Sequence, residues 1–212
     1  KLFSLLIFIS NITISQNIFY NDSINILKDI KAIYHAEKQT PITYQDIDMD
    51  AIQAKSIGQE PAFIFNNTPS MIAYTDGGHS QGYSYFTLRG IDQTRINITL
   101  DGVPLNDPAD QAFYFSNYAD ILNSISQIQI QRGVGTSKNG TASYAGSIEL
   151  FSPTLNNNRK EIGFGYGSYN TLRAYGIYNT KINNNKSLHV RISKIYSDGF
   201  KQHSSNNSES LL

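Results

Sequence analysis

Three β-type runs in this chain each end on a charged residue followed by glycine. They are Phe86-Thr87-Leu88-Arg89-Gly90, Asn97-Ile98-Thr99-Leu100-Asp101-Gly102 and Ile128-Gln129-Ile130-Gln131-Arg132-Gly133. The run Arg95–Leu100 alternates apolar and polar residues, the pattern of a half-buried strand. Glycine takes positive φ without a Cβ clash, so it permits a sharp reversal directly after a strand. Asp101-Gly102 is a tight-turn pair of this kind. These three runs therefore read as short strands closed by turns.

The flanking segments add short helices. Pro41-Ile42-Thr43-Tyr44 reads as a strand. The segment Asp46–Ile52 places acidic residues at a helix start, where they favour the macrodipole. Pro61 suits the first turn of a second helix, packed by Ala62, Phe63 and Phe65. Ser70–Tyr74 reads as a strand, followed by the glycine-rich loop Asp76–Gly82. Asn106–Tyr114 is a polar and aromatic loop, and Asn117 is expected to cap a helix through Ile121 and Leu122. A strand led by Ile125, Ile128 and Ile130, the loop Gly133–Gly140 and the strand Ser147–Phe151 complete a compact α+β domain.

Beyond Asn156-Asn157-Asn158 the pattern changes. Ile162, Phe164 and Tyr166 alternate with glycines, and Leu188, Val190 and Ile192 alternate with His189, Arg191 and Ser193. Asn183-Asn184-Asn185 reads as a hairpin turn between two such runs. Period-two runs of about 10 residues fit transmembrane barrel strands, and they fit a soluble antiparallel sheet equally well.

Composition narrows the classes. The 17 basic and 17 acidic side chains balance, so there is no electrostatic footprint for nucleic acid. With no cysteine there are no disulfides, thiolate metal sites or thiol chemistry. Residues 1–15 read as the remnant of a signal peptide, with an apolar stretch far shorter than the ~20 residues of a membrane-spanning helix. Residues 16–40 read as a flexible segment, within which Ile26–Ala32 is a mixed run suited to strand addition.

Sites of chemistry are sparse. Gly133–Gly140 departs from the phosphate-loop pattern, because Asn139 follows Lys138. His35, His79, His189 and His203 are scattered without metal-ligand spacing. Arg89 and Arg132 stand out: each reads either as a solvated strand end or as a buried cation that calls for a carboxylate partner.

Taken in order, Leu88-Arg89-Gly90, Thr99–Pro108, Ile130–Gly133 and Tyr144–Leu150 resemble the plug domain of TonB-dependent outer-membrane receptors. The resemblance covers about residues 27–155. It implies an α+β plug, a small mixed β-sheet with short helices, over 41–155. The first antiparallel strands of an incomplete transmembrane β-barrel follow over 156–212. A family barrel has roughly 22 strands. At ~10 residues per strand the remaining segment supplies three at most, so a truncated chain is expected.

The resemblance further implies energy-coupled uptake of a scarce nutrient, an iron–siderophore complex foremost, with haem, cobalamin or glycan as alternatives. It implies a Gram-negative outer-membrane location, contact with membrane lipid, and coupling to TonB and its inner-membrane energising complex. No enzyme activity, cofactor, metal or nucleic acid is expected. The candidate TonB box is Leu27, Lys28, Asp29, Ile30, Lys31, Ala32 and Ile33, although lysines and alanine interrupt the family's valine-rich pattern. Substrate-facing loops are expected at Gly77, Gly78, His79, Asp92, Gln93, Phe113 and Tyr114. Arg89 and Arg132 match arginines that pair with barrel carboxylates, and Gly90, Asp101, Gly102 and Gly133 are structural turns. A secreted structural or adhesive β-protein is the rival outside the family, but adhesion does not require the ordered Arg-Gly and Asp-Gly set.

Overall fold

The structure, a computed structural model, describes residues 36, 42–77, 81–134, 143–153, 158–183 and 186–212. All of these belong to one unit, Ala32–Leu212. In chain order the elements are β1 (Tyr44–Asp48), α1 (Met49–Lys55), β2 (Met71–Thr75), β3 (Ser84–Leu88), β4 (Ile91–Asp92), β5 (Ile96–Leu100), β6 (Val103–Pro104), β7 (Gln127–Arg132), β8 (Gly146–Phe151), β9 (Arg159–Gly167), β10 (Thr171–Asn183), β11 (Lys186–Ser197) and β12 (Asn206–Leu211). Short 3-10 segments lie at Pro61–Asn67, Gln93–Arg95, Phe115–Asn117 and Ile121–Ser124.

Alternation along the strands sets the register of the central sheet, ordered β1-β7-β8-β5-β6. One row of facing residues runs Ile47, Ile128, Leu150, Leu100, and the next runs Ile130, Ile148, Ile98. The β5–β8 pair is parallel, while the other pairs of this sheet are antiparallel. Ile98, Ile128, Ile130 and Ile148 are wholly buried, each worth about 1.5–3 kcal/mol on removal from water. Helix α1 adds Ile52, and the 3-10 segment behind Pro61 adds Ile64 and Phe65. The rings of Phe65 and Phe86 meet edge-on at 5.4 Å, and those of Phe113 and Phe115 at 4.7 Å. On the opposite face of the sheet the intervening residues form a polar row, Asp46, Gln129, Glu149, Thr99.

A second sheet, β2-β3-β4, turns back at Arg89-Gly90, as β5-β6 does at Asp101-Gly102. Arg89 and Gly90 have φ of 54° and 78°, and Asp101 and Gly102 have 49° and 83°. Two successive positive φ angles define the mirror-image turn that matches strand twist. Arg89, read as closing its strand, thus sits inside a turn, and Asp101-Gly102 forms the tight turn expected of it.

Three further expectations are corrected. The first strand occupies 44–48 and not 41–44. Ile47 faces the core there, while Asp48 ends the strand and caps α1 by accepting from the Ala51 amide at 2.9 Å. Asn117 closes a 3-10 turn and caps no helix; Asp120, with φ of 57°, precedes the next one. Finally, four strands follow residue 158, not three at most, in the antiparallel order β12-β11-β10-β9.

This third sheet forms a wall beside the α+β body. Its far face carries Ile162, Phe164 and Tyr166, which are 76%, 84% and 77% exposed. Its near face carries Arg173, Ile177, Asn179, Arg191, Ser193 and Ile195, all buried.

Candidate functional site

The body meets the wall at the loop 115–124. Asp120 holds its left-handed backbone there and receives the Asn123 amide at 2.9 Å. From β10, Arg173 reaches it with two donors: Nη2 to Oδ1 at 2.6 Å and Nε to Oδ2 at 3.3 Å. Arg173 Nη1 donates to the Ser56 carbonyl at 2.9 Å, and the guanidinium lies 4.6 Å over the Tyr175 ring. The two side chains are only 9% and 2% exposed. A buried pair of this geometry is costly to break, because removing one partner strands the other charge.

The neighbouring strand repeats the motif without a carboxylate. Arg191 Nε donates to Ser124 Oγ at 2.9 Å, and its Nη1 donates to the Ala119 carbonyl at 3.1 Å and to Ser210 Oγ at 2.8 Å. His189 lies between Ser124, at 3.1 Å, and Asn179. Sequence reading missed this set. Its only signal was the placement of Arg173 and Arg191 on the polar side of period-two strands.

Arg89 and Arg132 come together at the other end of β7. With Ile42, Thr43, Gln131 and Gly133 they line one polar cleft of about 240 Å³. Arg89 is exposed and Arg132 half-buried. Among the described residues neither takes part in an ion pair, and Arg132 Nε is buried without a hydrogen-bond partner. The cleft thus holds two cations, one of them donating through Arg132 Nη1 to the Pro69 carbonyl at 3.5 Å.

The expected substrate-facing residues divide. Gly78 and His79 lie outside the described residues, as do Leu27–Ile33. Gly77 is half-buried, and Asp92 is exposed, accepting from the Thr94 amide at 2.8 Å. The Thr94 hydrogen bonds hold the Asp92 carboxyl below its ordinary value. Gln93 and Phe113 depart from the expectation: they are 4% and 2% exposed. Gln93 accepts from the Phe86 amide at 3.4 Å, and Phe113 stacks on Tyr118. Both are parts of the interior.

Tyr114 belongs instead to a surface cluster that sequence reading overlooked. Tyr74 and Tyr85 face each other across β2 and β3 and stack at 5.5 Å, and Tyr114 meets Tyr85 edge-on at 6.3 Å. Tyr85 donates to Asp76 at 3.2 Å and Tyr114 to Asp110 at 2.8 Å. Two buried carboxyls complete the electrostatics. Burial pushes Glu60 up to about 7 against a single Ser84 hydroxyl at 3.3 Å and the Gly82 amide. Burial, assisted by nearby Asp101, does the same to Glu149.

The family model described as TonB-dependent Receptor Plug Domain matches residues 36–147. Among solved structures, the chain is similar to the ferric yersiniabactin uptake receptor FyuA from Yersinia pestis, at 14% identity and TM-score 0.56, over 80% of this chain and 27% of that one. It is similar to the ferric-catecholate import receptor Fiu from E. coli K12 at 17% identity and TM-score 0.64, over 81% and 24%. It is likewise similar to the pyoverdine outer membrane receptor FpvA from Pseudomonas aeruginosa PAO1 at 14% identity and TM-score 0.63, over 81% and 24%. The chain therefore spans about a quarter of the length of these receptors. With an α+β body matching the family over more than half its length, and antiparallel strands stacked beside it, this chain belongs to the TonB-dependent receptor plug family.

Proposed function

We propose that this chain is the plug and first wall strands of a Gram-negative outer-membrane receptor that imports an iron–siderophore complex with energy from TonB. The observation that carries the reading is the split personality of β9–β12. On the side away from the plug β9 carries the exposed Ile162, Phe164 and Tyr166, as a strand bordering lipid would, while Arg173 and Arg191 face inward and seat the plug. Apolar-out and polar-in alternation is the signature of a strand between lipid and an aqueous lumen.

The tyrosine cluster supports the substrate class. Tyr74, Tyr85 and Tyr114 offer ring faces and hydroxyls close together, the groups that grip a bulky organic chelate. Arg89 and Arg132 take the role of plug cations awaiting barrel carboxylates. The segment Leu27–Ile33 serves as the strand that TonB adds to its own sheet.

The test is uptake of radiolabelled ferric siderophores by cells producing the receptor, with and without TonB. Uptake that falls at least about tenfold without TonB, while surface binding persists, is the expected result. Equal uptake in both strains refutes the reading.

A further inference from the structure

The tyrosine cluster has a sign as well as a shape. Tyr74 and Tyr85 stack across β2 and β3, and Tyr114 brings its edge to Tyr85. Tyr74 is 51% exposed, and Tyr85 and Tyr114 are half-buried. The loop that carries Tyr114 is braced by one side-chain amide. Asn106 Nδ2 donates to the Ile96 and Gln111 carbonyls at 3.0 and 2.8 Å, and its Oδ1 accepts from the Ile98 amide at 2.7 Å. The Ala112 amide, two residues before the ring, donates to Asp110 Oδ1 at 2.7 Å. The third ring is therefore in place before a ligand arrives.

Two of the three hydroxyl protons are already committed. Tyr85 donates to Asp76 Oδ2 and Tyr114 to Asp110 Oδ2. Burial and then the Asp76 hydrogen bond push the Tyr85 phenol above its ordinary value, and the Asp110 hydrogen bond does the same to Tyr114. Both phenols thus stay protonated, and their oxygens are left to accept from a newcomer. Asp76 and Asp110 are exposed, and among the described residues neither takes part in an ion pair. Asp107 adds a third negative charge that acts on Tyr114. Ring faces, phenol oxygens and carboxylates are all electron-rich. A ring face attracts a cation through its quadrupole, and the attraction grows as water is excluded. An anionic chelate would meet repulsion from all three acids.

We propose that this cluster selects iron chelates that carry an exposed cationic group, an ammonium foremost, and disfavours anionic ones. The inference rests on the siderophore reading above and narrows it by charge. Tyr74, Tyr85 and Tyr114 receive the body of the group, and Asp76 and Asp110 set the sign of what is accepted.

The experiment uses the full receptor and two linear trihydroxamate complexes of iron that differ at one nitrogen. One complex ends in a free primary ammonium; in the other that nitrogen is acetylated and neutral. Wild type is expected to bind the ammonium complex at least about tenfold more tightly, and added salt to narrow the ratio. Asp76→Asn with Asp110→Asn keeps shape and an acceptor for each phenol while removing two charges. The ratio should then fall to about one, through loss of affinity for the ammonium complex. Asp76→Glu with Asp110→Glu restores the charges and should restore the preference. If Ile128 and Ile148 lose hydrogen-exchange protection in the double asparagine variant, the two single variants are read in the same way. Equal binding of the complexes by wild type, tighter binding of the neutral one, or a ratio that survives the asparagine variant overturns the charge selection and leaves the siderophore reading standing. Binding of neither complex by wild type overturns it too, while the TonB dependence of uptake decides the transport reading separately.

Discussion

The plug sheet and the wall sheet use the same two-residue period to opposite ends. In the plug, Ile128, Ile130, Ile148 and Ile98 turn inward on one another, and the polar row Asp46, Gln129, Glu149, Thr99 lies on the reverse. In the wall, Ile162, Phe164 and Tyr166 turn away from the protein, and Arg173, Asn179 and Arg191 turn toward it. Hydrophobic alternation therefore fixes which residues share a face, but not which face is dry. The two sheets meet through arginines, because the wall's inner face has few apolar groups to offer and the loop 115–124 has carbonyls, hydroxyls and one carboxylate.

The strongest way to break this picture is at the junction. Asp120→Ala leaves Arg173 buried without its carboxylate and is expected to cost about 3–5 kcal/mol by denaturant titration. Adding Arg173→Met should recover most of that loss; no recovery would mean that Asp120 acts through its loop and not through the pair. Next comes a matched truncation. Ile128→Ala is expected to destabilise the plug by about 3 kcal/mol. Phe164→Ala, on the wall's far face, should leave hydrogen exchange of the plug core within ~0.5 kcal/mol of wild type.

A smaller effect tests the buried carboxyl. Glu60 has its pKa raised from 4.5 to about 7, so the folded state binds its proton more tightly than the unfolded chain does. Its contribution is fully present below pH 4.5 and is lost as pH rises through 7. Glu60→Gln should therefore stabilise the plug at pH 8 by on the order of 1–3 kcal/mol and flatten the stability profile between pH 4.5 and 7.

Much of the plug was legible because local chemistry and global burial agree there. Ile96–Leu100, Gln127–Arg132 and Gly146–Phe151 announce their core faces, and Asp101-Gly102 announces its turn. The errors lie where local signals serve two readings. Asp46 and Asp48 suit a helix start, but the first lies on the polar face of β1 and only the second caps α1. Phe113 and Gln93 sit in segments that look like surface loop, yet the ring packs inward and the amide satisfies a buried backbone donor. The Asp120–Arg173 pair was invisible because its members lie 53 residues apart and no local pattern couples them. The Ala36 amide donates to Gln129 Oε1 at 2.7 Å across 93 residues, and it was hidden for the same reason.

Gly163 on β9 shows how far such distant dependence extends. The Tyr175 ring occupies the space where a methyl group at 163 would stand, 2.2 Å from the nearest ring atom. That ring lies beneath the Arg173 guanidinium, and its hydroxyl donates to Glu161 at 2.7 Å. Even alanine at 163 would evict the tyrosine, tilt the arginine and loosen its grip on Asp120. The seating of the plug on the wall is thus entrusted in part to an absence of matter, a notch in the backbone that the Tyr175 ring fills.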